Sequence, residues 1–99
     1  MDLKDVQEQQ AKYDEKYWLQ KPGFETIRHT SHHLAKLVGK VSGYCENVED
    51  NRSVTTEELD TEVIPDLLIY AARLANDRGV KLDEAFTNRK LLLERLNLK

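Results

Sequence analysis

Between residues 55 and 79, Ile64, Leu67, Leu68, Ala71, Leu74 and Ala75 return at three- and four-residue intervals, the spacing of one helical face. Ile69, Tyr70 and Ala72 make the other side apolar as well. A helix apolar nearly all round is usually central, with neighbours on more than one side. Thr55 stands three residues before Glu58, which predicts a capping box, and Gly79 suits the left-handed residue that follows a last helical turn. Pro65 interrupts the pattern. Proline removes a hydrogen bond and clashes with the preceding turn, at about 3 kcal/mol in a helix interior. The stretch therefore kinks there, or a short helix ends at Glu62 and a second begins with Pro65 in its first turn. A helix over 55–78, kinked at Pro65, is the element around which the rest is arranged.

Three further elements follow from the same reading. Within 1–19, Leu3, Val6, Tyr13 and Tyr17 form a thin apolar stripe whose middle is polar all round, so this helix is expected to be weakly anchored. Trp18 precedes the turn signal Gln20-Lys21-Pro22-Gly23; it either plugs the edge of a core or offers a face for a nucleobase. The second helix spans 24–46, with Ile27, Thr30, Leu34, Leu37, Val38, Val41 and Cys45 as its core face. His29, His33, Lys36 and Lys40 run along its flank, and Gly39 in mid-helix predicts a closely passing neighbour. Residues 46–54 read as a polar loop. The fourth helix, 82–96, presents Leu82, Ala85, Phe86, Leu92, Leu93 and Leu96. With no strand signal, the fold class is all-α: a four-helix bundle forming one domain over 1–99.

Composition narrows the function classes. A 99-residue chain buries only about 60–70% of its unfolded surface, so dimerisation is a natural way to cover a two-sided apolar helix. One residue in three is charged, and the net charge of −3 implies no general affinity for nucleic acid or an anionic membrane. The absence of an apolar run of about 18 residues and of a signal-peptide pattern reads as a soluble cytoplasmic protein. Cys45 stands alone, which excludes an internal disulfide.

Candidate chemistry lies in the acids. Glu62 and Asp66 are one turn apart, with Arg73 further along the same side. Glu25, His29 and His33 are spaced so that one helix could offer all three to a metal, though the acid usual between two zinc-binding histidines is replaced by Thr30-Ser31-His32.

The stretch VIPDLLIYAARLANDRGVKLDEAF, with HLAKLVGKVSGYCE before it, resembles the MazG-like all-α nucleoside triphosphate pyrophosphohydrolases over most of the chain, from Phe24 to Arg95. That resemblance implies a helical bundle completed by dimerisation, with hydrolysis of nucleoside triphosphates to monophosphate and pyrophosphate. It also implies Mg²⁺ held by Glu-Glu-x-x-Glu on the second helix and Glu-x-x-Asp on the third. Asp66 matches the aspartate, and Glu62 lies one position from the glutamate, whose place is taken by Val63. The acidic positions of the second helix fall on Lys36, Leu37 and Lys40. On the last helix Arg95 matches a basic position, while Leu93 replaces an asparagine.

Two lysines in place of metal-binding glutamates reverse the local charge. A like-charge pair about 4 Å apart costs on the order of 4 kcal/mol at an effective dielectric near 20. One expectation is that Lys36 and Lys40 pair with Glu62 and Asp66 and replace the metal. Another is that they join His29 and His33, with Arg73 and Trp18 as further contacts, in a pocket for an anionic ligand such as a nucleotide phosphate. The functional expectations are correspondingly two: a nucleotide-pyrophosphohydrolase-type protein of impaired activity, with Glu62 and Asp66 holding one Mg²⁺, or a non-catalytic binding or assembly module.

Overall fold

The first helix begins on a reciprocal cap that short acidic side chains supply. In this computed structural model, which describes residues 1–96, α1 (Leu3–Tyr17) starts from Asp2. The Asp5 backbone N–H donates to Asp2 Oδ1 at 2.8 Å, and the Asp2 N–H donates to Asp5 Oδ2 at 3.2 Å. The chain is all-α: α1 is followed by α2 (Phe24–Glu49), a π-turn (Leu59–Val63), α3 (Ile64–Arg78) and α4 (Leu82–Arg95), with no strand among the described residues. The last three residues of the expected 1–99 domain lie outside those described.

Two compact units divide the chain, one of Gln20–Ala71 and one of Met1–Leu19 with the chain from Ala72 onward. In the first, Gly23 at φ 89° lets the turn enter α2, and the buried Thr26 hydroxyl donates to the Lys21 carbonyl at 2.8 Å. The helix runs to Glu49, further than the expected 46. It stops at Asn51, whose φ of 59° lets Asn51 and Arg52 N–H groups close on the Val48 and Asn47 carbonyls. The helical chain resumes at Glu57. The expected capping box is not formed: Thr55 Oγ1 accepts weakly from Glu57 N–H at 3.4 Å, and the Thr56 hydroxyl donates to Asp60 Oδ2 at 2.9 Å.

The disturbance expected at Pro65 takes the form of the π-turn ahead of it. Ile64 N–H reaches back five residues to the Leu59 carbonyl. One residue is thereby inserted into the helical register just before the residue that has no N–H to give.

This turn helps decide which face is inside, and the outcome corrects the sequence reading. Val63 is buried, and Asp66 and Tyr70 are half-buried on the same side. Of the expected core face, Ala75 is buried and Ala71 and Leu74 are half-buried, whereas Ile64, Leu67 and Leu68 are 60%, 41% and 39% exposed. On the second helix Thr30, Leu34 and Leu37 of the expected face are inside and the rest of it is not. Thr26, Thr30 and Leu37 are buried and His33 and Tyr44 half-buried, while Ile27, Val38, Val41 and Cys45 are exposed. Gly39 is exposed with open space where a Cβ would stand, so no neighbour passes close to it. In both helices the expected face divides, one part turned inward together with polar neighbours and the other part left exposed.

Thr30 is wholly buried, and its hydroxyl has no hydrogen-bond partner among the described residues. A buried polar group without a partner costs about 1–3 kcal/mol. Thr30→Val keeps the shape and removes the group, so it is expected to raise stability by about 1 kcal/mol. Thermal unfolding checks this, and an unchanged or lower melting temperature refutes it.

In the other unit α1 lies against α4, and its polar middle is its anchor. Gln7 donates from Nε2 to the Val80 carbonyl at 2.6 Å and accepts on Oε1 from Leu82 N–H at 2.9 Å. Its backbone carbonyl accepts from Asn76 Nδ2 at 3.0 Å. Amide groups thus make the contacts of a helix that has no buried residue of its own. Gly79 closes α3 as predicted, at φ 67°, with Val80 N–H on the Ala75 carbonyl at 2.8 Å. On α4, Leu82, Ala85 and Leu93 are half-buried, whereas Phe86, Leu92 and Leu96 stay exposed.

Candidate functional site

Charge pairing between α2 and the start of the next helical stretch forms the centre of the candidate site. Lys40 comes from α2, Glu58 from the turn before the π-turn, and Glu62 from the π-turn itself. Lys40 Nζ lies 3.4 Å from Glu62 Oε2 and 3.9 Å from Glu58 Oε2. The expected facing of basic and acidic pairs is therefore half realised. Lys40 takes Glu62 and also Glu58, while Lys36 and Asp66 make no ion pair among the described residues.

Exposure limits what this cluster contributes to stability. The side chains of Lys40, Glu58 and Glu62 are 40%, 59% and 55% exposed. Ion pairs so open to water contribute about 0–1 kcal/mol. The deep burial that would make loss of Lys40 costly is absent.

The arrangement does not suit a bound Mg²⁺. That ion needs close to six oxygens in near-octahedral order, and here an ammonium group already faces both carboxylates. Among the described residues no three His, Cys, Asp or Glu side chains are placed to share one metal ion. Glu62 and Asp66 therefore lack a third ligand, and Glu25 does not join His29 and His33.

Beside Lys40 opens a cleft of about 300 Å³, with Tyr44, Asn47 and Thr55 supplying polar groups and Glu58 an opposing carboxylate. His29, His33 and Lys36 are not among its walls. The two histidines meet elsewhere on α2, Nε2 to Nε2 at 2.8 Å. His33 also stacks on Tyr70, with ring centroids 5.2 Å apart and 15° between planes.

Trp18 and Arg73 belong to the other unit and engage each other. The Arg73 guanidinium lies 3.9 Å from the centre of the Trp18 ring. Its Nε and Nη2 both donate to Asp14 Oδ1, at 3.0 and 2.9 Å. Gln10 Nε2 adds a third bond to the same oxygen at 2.8 Å from its own side chain one turn back in Asp14's helix, where the contact partner is again Asp14 Oδ1. The six expected ligand contacts thus fall into separate places: Lys40 at the cleft, His29 with His33, Lys36 alone, and Arg73 with Trp18.

Asp14, Glu58 and Tyr70 were not singled out as partners by the sequence. Glu58 had a signal, since it stands four residues before Glu62 and shares its helical side. Asp14 had none, because its partner is 59 residues away. Comparison with known proteins returned no matching family model, no matching curated sequence and no matching solved structure.

Proposed function

We propose that this chain is a MazG-like helical protein of the nucleotide-pyrophosphohydrolase type that binds an anionic ligand without hydrolysing it, and that it works as a homodimer. The observation that carries this reading is the Lys40 ammonium 3.4 Å from Glu62 and 3.9 Å from Glu58. It supplies to the carboxylates the positive charge that the resemblance assigns to Mg²⁺. An ammonium group neutralises charge but offers no open coordination site, so it cannot generate a nucleophile from bound water as a metal does. It is nonetheless a competent partner for phosphate. A phosphate-bearing ligand entering the cleft would meet Lys40, Tyr44, Asn47 and Thr55 and would exchange with Glu58 for the ammonium.

The expected result is that purified protein with Mg²⁺ releases no pyrophosphate from the common nucleoside triphosphates. The same nucleotides raise its melting temperature, as a ligand specific for the folded state does. Lys40→Ala leaves the unliganded stability within about 1 kcal/mol of wild type and abolishes that rise. Pyrophosphate release that disappears in Asp66→Ala overturns the proposal and restores a metal-dependent hydrolase.

A further inference from the structure

We infer that Arg52 is a second anion-binding group at the Lys40 cleft, and that the ligand it selects is a chain of phosphates in preference to a single one. This selectivity rests on the anion-binding role proposed for Lys40. Lys40, Tyr44 and Asn47 stand four and three residues apart on one stripe of α2, and all three line the cleft. Lys40 and Asn47 are separated by about 10 Å of helix. Lys40 is the cation at one end, and at the other Asn47 holds Arg52, which is not itself a wall.

Asn47 binds Arg52 at two points. Its carbonyl accepts from the Arg52 backbone N–H at 2.9 Å, and its Oδ1 accepts from Arg52 Nη1 at 2.9 Å. Asn51 makes this possible, because its φ of 59° ends α2 and folds the chain back over the last turn. The guanidinium is therefore placed before a ligand arrives, yet keeps donors to spare. It carries five N–H donors in a flat fork. One goes to Asn47, and the Asp50 carboxylate stands 4.0 Å from Nη2 in an exposed pair that holds it weakly.

Charge favours more than one phosphate. A single phosphate at Lys40 also meets Glu58, which lines the same cleft, and Glu62 is the other partner of that ammonium. One ammonium against two carboxylates leaves little net attraction. An anion that continues along the stripe past Tyr44 to Asn47 gains the guanidinium as a second partner, and the flat fork matches phosphate oxygens. The tail of a nucleoside triphosphate and free inorganic triphosphate offer the same chemistry.

The test is calorimetric titration with inorganic phosphate, inorganic triphosphate and adenosine triphosphate, without added divalent metal. Wild-type protein should bind inorganic triphosphate about tenfold more tightly than phosphate, the worth of one charge-assisted contact. Arg52→Gln, which keeps a donor for Asn47, should remove that advantage and leave phosphate binding unchanged. Arg89→Gln, the same loss of charge at an exposed position on α4, should leave the advantage intact. Either source upholds the role of Arg52: tighter binding of adenosine triphosphate than of inorganic triphosphate assigns the chain to a nucleotide, and equal binding to free polyphosphate. Equal affinity for phosphate and triphosphate, or an equal loss in Arg52→Gln and Arg89→Gln, overturns the role of Arg52 and leaves that of Lys40 standing. No binding of any of the three overturns both.

Discussion

Asp14→Ala is expected to lower the stability of the protein by about 2–3 kcal/mol, the cost of removing the carboxylate that accepts two charge-assisted hydrogen bonds from a buried guanidinium. Arg73 is 8% exposed, and the side chain of Asp14 is 14% exposed. The guanidinium cannot shed its charge, because arginine stays protonated in proteins. With Asp14 gone, two N–H groups that now rest on one carboxylate oxygen lose their acceptor, and the Trp18 ring over the guanidinium does not replace it. Replacing both residues by apolar ones of similar volume, as in Asp14→Leu with Arg73→Met, should restore most of the loss, since the pair itself gains little over packing. Urea unfolding measures both variants through the shift in midpoint at constant slope. A shift of less than about 1 kcal/mol for Asp14→Ala would show that water reaches Arg73 and that the pair is not an anchor.

Leu68→Glu is expected to turn a dimer into a monomer while leaving the helices formed. On α3 the side chains of Ile64, Leu67, Leu68 and Ile69 are all at least 37% exposed, and on α2 Val38 and Val41 are 62% and 40% exposed. Only Leu37, Val63, Ala72 and Ala75 are buried apolar residues among those described. An apolar face of this kind on a short chain marks an interaction surface. The proposed occupant is a second copy, because a two-fold axis would set the same stripe against itself. Such an interface needs about 800 Å² from each partner. Wild-type protein should therefore sediment at twice the 11.5 kDa chain mass at tens of micromolar, and Leu68→Glu at the chain mass with an unchanged helical circular dichroism spectrum. A wild-type monomer at that concentration would falsify the dimer.

How much of this was legible beforehand differs between the helices and their contacts. Placement of the four helices, the left-handed stop at Gly79, the turn before Phe24 and the disturbance near Pro65 are all local matters of periodicity and backbone chemistry. The bands place Lys40 and Glu62 on the flanks of their own helices, but only the packing of those helices makes the ion pair, and it leaves Lys36 and Asp66 out of it. The contact of His29 with His33 follows from a four-residue spacing.

Which side of each helix is turned inward was decided by tertiary structure. A single helix determines the width and position of its own apolar stripe, but not which partner meets it. Here the π-turn at Leu59–Val63 adds a residue to the register, and Tyr70 packs on His33, so Val63, Asp66 and Tyr70 face inward in place of Ile64 and Leu68. The anchoring of α1 was likewise beyond reach. Gln7 binds backbone groups more than 70 residues away and Asp14 binds Arg73, polar partnerships of single residues that leave no periodic trace. The sequence by itself determined where the chain is helical, because helix formation depends on neighbours a turn away. The fold decided which polar groups meet and which apolar faces remain open, because those outcomes depend on shapes that only the assembled chain brings together.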